Sequence, residues 1–156
     1  MTQGAGDSET EMSPLRYPVP RVCAVIADQR GRILLCRYGC NSQWELPGSD
    51  IQRDQGIEEA LVQGISSETG LVVAMRYVVG VYHVPREKVV RGDAEARHEL
   101  LLCVACRIVA GRLRPATEAR ELEFALAYPL ASVPMRPLIR QCISDYRSHR
   151  LRAAVS

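Results

Sequence analysis

The segment Leu46–Leu71, LPGSDIQRDQGIEEALVQGISSETGL, constrains the fold more than any other part of the chain. Its first three residues predict a turn, and a polar loop follows. Apolar residues then recur at helical spacing, which predicts an amphipathic helix from Ile57 to about Thr69. Gly56 suits the N-cap, and Gly70 suits the position just beyond the helix end. The segment therefore predicts a turn, a loop and a helix in fixed order.

Composition indicates one globular domain. The chain has 156 residues, 47% of them hydrophobic and 24% charged, with a net charge of +2. This length is sufficient for the hydrophobic core of one domain, and these proportions are ordinary for a globular protein. So small a charge gives no electrostatic basis for binding nucleic acid or a membrane surface. No apolar run approaches the roughly 18 residues of a transmembrane helix.

The start of the chain is polar and acidic. It lacks the basic and apolar regions of a secretory signal, so residues 1–17 are predicted to form a disordered leader. A single domain is expected over residues 18–152, with a tail at 153–156. The six cysteines then indicate free thiols in a reducing cytoplasm, which is the expected location.

The cysteine spacing does not predict a metal site. Cys103 and Cys106 lie in an apolar run that is typical of a strand, where an odd separation places side chains on opposite faces. Cys23 and Cys142 lie among aliphatic residues and are expected to be small buried hydrophobes. A four-ligand zinc site is not indicated.

Strand-like runs and a second helix complete the pattern. Two early runs separated by a short loop that ends in glycine predict a β-hairpin. The last helix is amphipathic, and Arg136 is expected on its solvated side. This order predicts a mixed α/β sandwich. Val72–Val84 is expected to be a strand pair or one long bent strand, broken by Gly80. The other predicted elements, besides the helix of the first segment, are strands Arg21–Ala27, Arg32–Tyr38, Gln43–Leu46, His98–Ala110 and Glu121–Ala127, and the helix Met135–Tyr146.

The segment resembles the Nudix box, G-x5-E-x7-R-E-U-x-E-E-x-G-U, where U is aliphatic. An ungapped alignment runs from Ser49 to Leu71 and matches its closing glycine and aliphatic residue. The looser likeness extends from about Tyr17 to Tyr146. It implies a Nudix-like α/β/α sandwich with a mixed β-sheet, the loop and helix of the box, and a C-terminal helix.

The departures from the box fall on its charged positions. In the family, three glutamates of the box helix bind metal; the corresponding residues here are Gly64, Ser67 and Glu68. Gln55 replaces a further glutamate, and Gln63 replaces the arginine. The resemblance therefore implies a degenerate box, with Glu68 as the metal ligand that is retained.

Cleavage of a diphosphate requires charge neutralisation and an activated water, which divalent ions supply. One carboxylate can hold Mg²⁺ or Mn²⁺ when substrate phosphates and waters complete the shell. Glu68 is therefore the first catalytic candidate. Asp54, beside Gln55, and Glu99, on a later strand, are the further candidates. Residues that could hold a phosphate or a base are Arg53, Arg76, Arg86, Arg97 and Tyr82.

Three interpretations remain open. The first is a Nudix domain with weak or no hydrolysis that binds a nucleotide, a phosphorylated metabolite or a protein partner, and needs no metal. The second is a divergent nucleoside diphosphate-X pyrophosphohydrolase that uses Glu68, carboxylates outside the box, and Mg²⁺ or Mn²⁺. The third is a scaffold redirected to a biosynthetic reaction. The resemblance also raises a homodimer, because many relatives dimerise.

Overall fold

The computed structural model describes residues 19–39, 43–84, 99–115, 120–125, 132–148 and 154–155. The predicted leader lies outside these ranges. So does the polar loop 86–97, with its two ligand candidates Arg86 and Arg97. Among the described residues, no helix is long and apolar enough to cross a membrane.

Seven strands and two helices are present in the described ranges. The helices are α1 (Ile57–Thr69) and α2 (Pro137–Arg147). The strands are β1 (Val19–Ile26), β2 (Ile33–Tyr38), β3 (Gly48–Asp50), β4 (Leu71–Val84), β5 (Glu99–Gly111), β6 (Arg120–Ala125) and β7 (Ala154–Val155).

The main sheet is mixed. Its five strands have the order β3-β1-β5-β4-β7, while β2 and β6 form a separate antiparallel pair. The central pair, β1 and β5, is parallel, and β3 and β4 are antiparallel to their neighbours β1 and β5. The short β7 pairs with β4, so residues that were expected to form a tail belong to the sheet.

Alternation along the strands produces two cores. On β1, Val22 and Ala24 pack in the core that contains the apolar face of α1. Cys23 and Val25 point to the other side and pack with α2. Successive side chains of a strand face opposite sides, so this central strand contributes to both layers. The expected α/β/α sandwich with a mixed sheet is confirmed.

The bounds of α1 match the sequence prediction. Gly56 is its N-cap, and Gly70 follows its last residue with a left-handed φ of 75°. A Cβ at position 70 would lie 2.5 Å from the carbonyl oxygen of Arg112, so glycine is also required by space. Thr69 is buried but satisfied, because its hydroxyl donates to the carbonyl of Ile65 and accepts from the amide of Leu71.

The predicted hairpin is confirmed at its turn but does not extend along the strands. Ala27 and Ile33 form an antiparallel bridge, and the backbone N–H of Asp28 donates to the carbonyl of Arg32 at 2.9 Å, but strands β1 and β2 belong to different sheets. The reason is that β3 and β5 occupy both edges of β1, which leaves β2 to pair with β6. The turn predicted over residues 46–48 also ends earlier than expected, because β3 begins at Gly48 itself.

Candidate functional site

The turn before α1 approaches β1 closely. Gly48 pairs with Cys23, and a Cβ at position 48 would lie 2.2 Å from the carbonyl oxygen of Val22. Glycine is therefore the residue that fits. Its amide N–H donates to Oε2 of Glu68, on the last turns of α1, at 3.3 Å. The turn and the helix thus meet at the carboxylate that sequence analysis selected as the metal ligand.

Glu68 is a half-buried carboxylate with an unusual proton affinity. Burial raises its pKa from 4.5 to about 7, and the negative charge of Glu45 acts in the same direction. The amide of Gly48 and the positive charge of Arg21 partly oppose this increase. A carboxyl with this pKa gains or loses its proton near neutral pH, which is a property that clusters at functional sites.

The charged residues that act on Glu68 belong to ion pairs. Nε of Arg136 lies 3.2 Å from a carboxylate oxygen of Glu45. Nη1 of Arg136 donates to Glu99 at 3.2 Å, and Glu99 is only 5% exposed. On the other flank, Arg21 pairs with Asp50 at 3.1 Å. Glu45 and Arg21, which act electrostatically on Glu68, are thus each held in an ion pair.

Three residues around Glu68 were not predicted as site residues, namely Glu45, Arg21 and Arg136. Arg136 was expected on a solvated helix side, but it is the N-cap residue of α2 and has extended backbone geometry. Its side chain therefore leaves the helix and reaches Glu45 and Glu99. Pro137, which follows it at the first helical position, is the signal that would have marked this helix start.

Ser49 and Gly64 fit together as a pair. A Cβ at position 64 would lie 2.6 Å from Cβ of Ser49 and 2.7 Å from its Oγ. The Ser49 hydroxyl donates to the carbonyl of Ala60 at 2.8 Å, which fixes the side chain over the helix. The serine therefore occupies the space that any side chain at position 64 would need.

Neutral amides connect the loop with the helix. The side chain of Gln55 accepts from the amide of Gln52 and donates to Gln63 at 3.1 Å. Gln63 in turn donates to Glu59 at 3.4 Å. Gln55 and Gln63, which stand at charged positions of the box pattern, thus hold the loop against α1 by hydrogen bonds.

The other predicted candidates are dispersed. Arg53 and Asp54 are exposed in the turn between β3 and α1. Arg76 lies over the ring of Tyr77, and both residues act electrostatically on Tyr146 of α2. Exposed Ser67 lies on α1 next to Glu68.

The structure corrects the assignment of Tyr82 as a ligand-binding residue. Its side chain is 1% exposed, and its hydroxyl donates to buried Asp145 at 2.7 Å. The ring therefore belongs to the core and presents no open face on which a base could stack.

Comparison with known proteins gives consistent matches. The NUDIX domain family model matches residues 17–146. An ADP-ribose pyrophosphatase from Methanocaldococcus jannaschii is 31% identical over 114 residues, which cover 69% of this chain and 62% of that protein. A MutT-like protein from Streptomyces ambofaciens is 34% identical over 61 residues, which cover 39% of this chain and 40% of the relative. The chain thus spans less than two thirds of either relative.

Solved structures share the architecture. A UDP-X diphosphatase superimposes with a TM-score of 0.71 over 94% of this chain and 71% of its own, at 19% identity. A hydrolase from Nitrosomonas europaea superimposes with a TM-score of 0.66 over 85% of this chain and 90% of its own, at 20% identity. At these identities the likeness establishes the fold.

Proposed function

The chain belongs to the Nudix family, and on that premise we propose that it hydrolyses the diphosphate of a nucleoside diphosphate derivative with Mg²⁺ or Mn²⁺. Relatives at 31% and 34% identity are named as an ADP-ribose pyrophosphatase and a MutT-like protein. The observation that carries the proposal is the placement of Glu68. It lies at the end of α1, is held by the Gly48 amide, and adjoins Glu45 and Arg21.

The donor set fits a hard divalent ion. Mg²⁺ and Mn²⁺ prefer carboxylate oxygens and complete their shells with water and substrate phosphates. Glu68 is the proposed ligand. Glu45 is close enough to raise the Glu68 pKa and is the second candidate, although it also pairs with Arg136. When bound, such an ion neutralises phosphate charge and activates water.

The protein's own groups would orient the substrate. Exposed Arg53, in the loop before α1, is proposed to contact the diphosphate, since guanidinium binds phosphate oxygens in bidentate fashion. Asp54 beside it and Glu99 remain candidates for positioning water. Glu99 is held by Arg136, so its contribution would depend on that ion pair.

A second candidate function is binding of a nucleotide or phosphorylated metabolite with weak or no hydrolysis. The contact between Ser49 and Gly64 favours it, because this packing leaves no carboxylate at position 64 and no room for one. Fewer carboxylates also mean less repulsion of an anionic ligand. The two candidates differ in whether ligand is turned over or only retained.

Turnover and binding are measured on the same samples. The protein is incubated with ADP-ribose and UDP-sugars, with and without Mg²⁺ or Mn²⁺, and products and thermal shifts are recorded. Hydrolysis should require metal, and Glu68→Gln should lower it about a hundredfold or more. The matched control, Glu58→Gln, changes an exposed glutamate on the first turn of α1 and should leave the rate within about twofold.

Each result selects one candidate. Metal-dependent turnover that disappears in Glu68→Gln supports hydrolysis at this site. Stabilisation by nucleotide without turnover supports the binding candidate and rejects the hydrolase. Equal rates in Glu68→Gln and the parent protein would reject Glu68 as the metal ligand.

A further inference from the structure

We propose that Cys23, Cys103 and Cys142 form a buried three-sulfur site for a soft d10 metal ion, separate from the carboxylate site. Their Sγ atoms all lie within 4.8 Å of one another. The three residues were expected to be small buried hydrophobes, and they lie on three separate elements, β1, β5 and α2. The fold brings them together, which no spacing along the chain could indicate.

Two features of the fold set the geometry. Cys23 and Cys103 are register partners on the adjacent parallel strands β1 and β5, so their side chains leave the same face of the sheet. Cys142 is on α2, which covers that face. With metal–sulfur distances of about 2.3 Å, three sulfurs in a trigonal plane are about 4.0 Å apart. The site therefore needs a contraction of less than about 1 Å to hold an ion.

The helix that carries the third thiol is firmly positioned. Tyr82, on β4, donates to Asp145 one turn beyond Cys142, and both partners are buried. Gln141 donates to the other oxygen of Asp145 at 3.0 Å. This network fixes α2 against the sheet close to the thiols. A site that is organised before binding loses less conformational entropy when the ion binds.

The three thiols share protons through their mutual contacts. The contacts with Cys103 and Cys23 lower the pKa of Cys142, whereas the pKa values of Cys103 and Cys23 are raised well above the usual value. Binding of an ion would therefore have to displace the protons of two of the three thiols. Arg21 and Arg136 both interact electrostatically with Cys23, so positive charge lies at the edge of the site. A divalent ion with three thiolates carries one net negative charge, which these guanidinium groups would offset.

The donor type selects the ion. Thiolates prefer Zn²⁺, Cd²⁺ and Cu⁺ to Mg²⁺ or Mn²⁺. The three cysteines are 0–4% exposed and are surrounded by apolar residues of the α2 core, which exclude water as an easy fourth ligand. Three-coordinate binding by a soft ion is therefore the expected mode. Such binding needs no substrate and does not depend on the proposed hydrolysis.

The test uses Cd²⁺ as the first probe. The reduced 156-residue chain receives Cd²⁺ both in the folded state and during refolding, and unbound ion is removed. Retained metal is counted, and the thiolate-to-cadmium absorption is recorded. Zn²⁺ and Cu⁺ are tested separately to distinguish divalent from monovalent ions. An excess of Mg²⁺ is present throughout, so the carboxylate site does not contribute.

The chain provides its own control, because the described cysteines Cys36 and Cys106 do not belong to the cluster, and Cys40 lies outside the described residues. Replacing Cys36, Cys40 and Cys106 by alanine should leave about one Cd²⁺ per chain. Cys142→Ala alone should weaken retention at least about tenfold while the thermal transition remains cooperative.

Three results would overturn the proposal. One is that no Cd²⁺ is retained, whether it is added to the folded protein or during refolding. Another is loss of Cd²⁺ binding when Cys36, Cys40 and Cys106 are replaced by alanine. The last is a Cys142→Ala protein that is folded and binds Cd²⁺ as tightly as the parent chain.

Discussion

Replacing Glu68 by glutamine should stabilise the folded protein at high pH. The carboxyl has a pKa of 4.5 when free and about 7 in the fold, so its ionised form is disfavoured by the folded environment. At 1.36 kcal/mol per pH unit the difference corresponds to about 3 kcal/mol. Because Glu68 is only half-buried, solvent screening reduces the expected gain to about 1.5 kcal/mol. Glutamine keeps an oxygen that can accept from the Gly48 amide.

The pH dependence follows from the direction of the shift. A carboxyl whose pKa is higher in the folded than in the unfolded protein destabilises the fold increasingly as pH rises through the interval between the two values. The cost is complete above about pH 7 and small below 4.5, the two pKa values of Glu68. At pH 5 about a quarter of the full destabilisation by Glu68 remains.

The assay is thermal unfolding in EDTA at pH 8 and pH 5. Glu68→Gln should raise the midpoint by about 3–6 °C at pH 8, since 1 kcal/mol moves it by about 2–4 °C in a chain of this size. At pH 5 the gain should shrink to about 1 °C. Glu58→Gln, an exposed carboxylate on the same helix, should change neither midpoint. A lower midpoint for Glu68→Gln at pH 8, or an equal gain at both pH values, would refute the reasoning.

Three further substitutions test the packing. Gly64→Glu should destabilise the protein by about 1–3 kcal/mol in chemical denaturation, because its Cβ would overlap Ser49, and adding Ser49→Gly should recover much of the loss. Tyr82→Phe should cost about 1–3 kcal/mol in the same assay, since buried Asp145 loses a donor; unchanged stability would show that the bond contributes little. Gly70→Ala should lower the thermal midpoint measurably, because position 70 has a positive φ and no space for a Cβ, whereas Gly56→Ala, at an open position, should lower it less.

The features that were predicted correctly from the sequence are those that depend on interactions between residues close together in the chain. The bounds of α1 were correct because apolar periodicity and the flanking glycines act within a few residues of the helix ends. Strand partners are determined by contacts across the sheet, so the loop between β1 and β2 could not show that their pairing stops at the turn. The contact between Glu45 and Arg136 likewise joins residues far apart in the chain. Glu68 was found by alignment, but its elevated pKa depends on the burial that the fold creates.

The packing of Ser49 against Gly64 also determines the order in which a fuller carboxylate site could be rebuilt. A glutamate introduced first at position 64 collides with the serine Cβ, which rotation cannot move away. A glycine introduced first at position 49 removes one hydroxyl hydrogen bond and opens the space. The route that begins with Gly64→Glu therefore passes through a destabilised protein, whereas the route that begins with Ser49→Gly avoids the collision. The order of the two substitutions thus determines whether a carboxylate can return to this site without loss of stability.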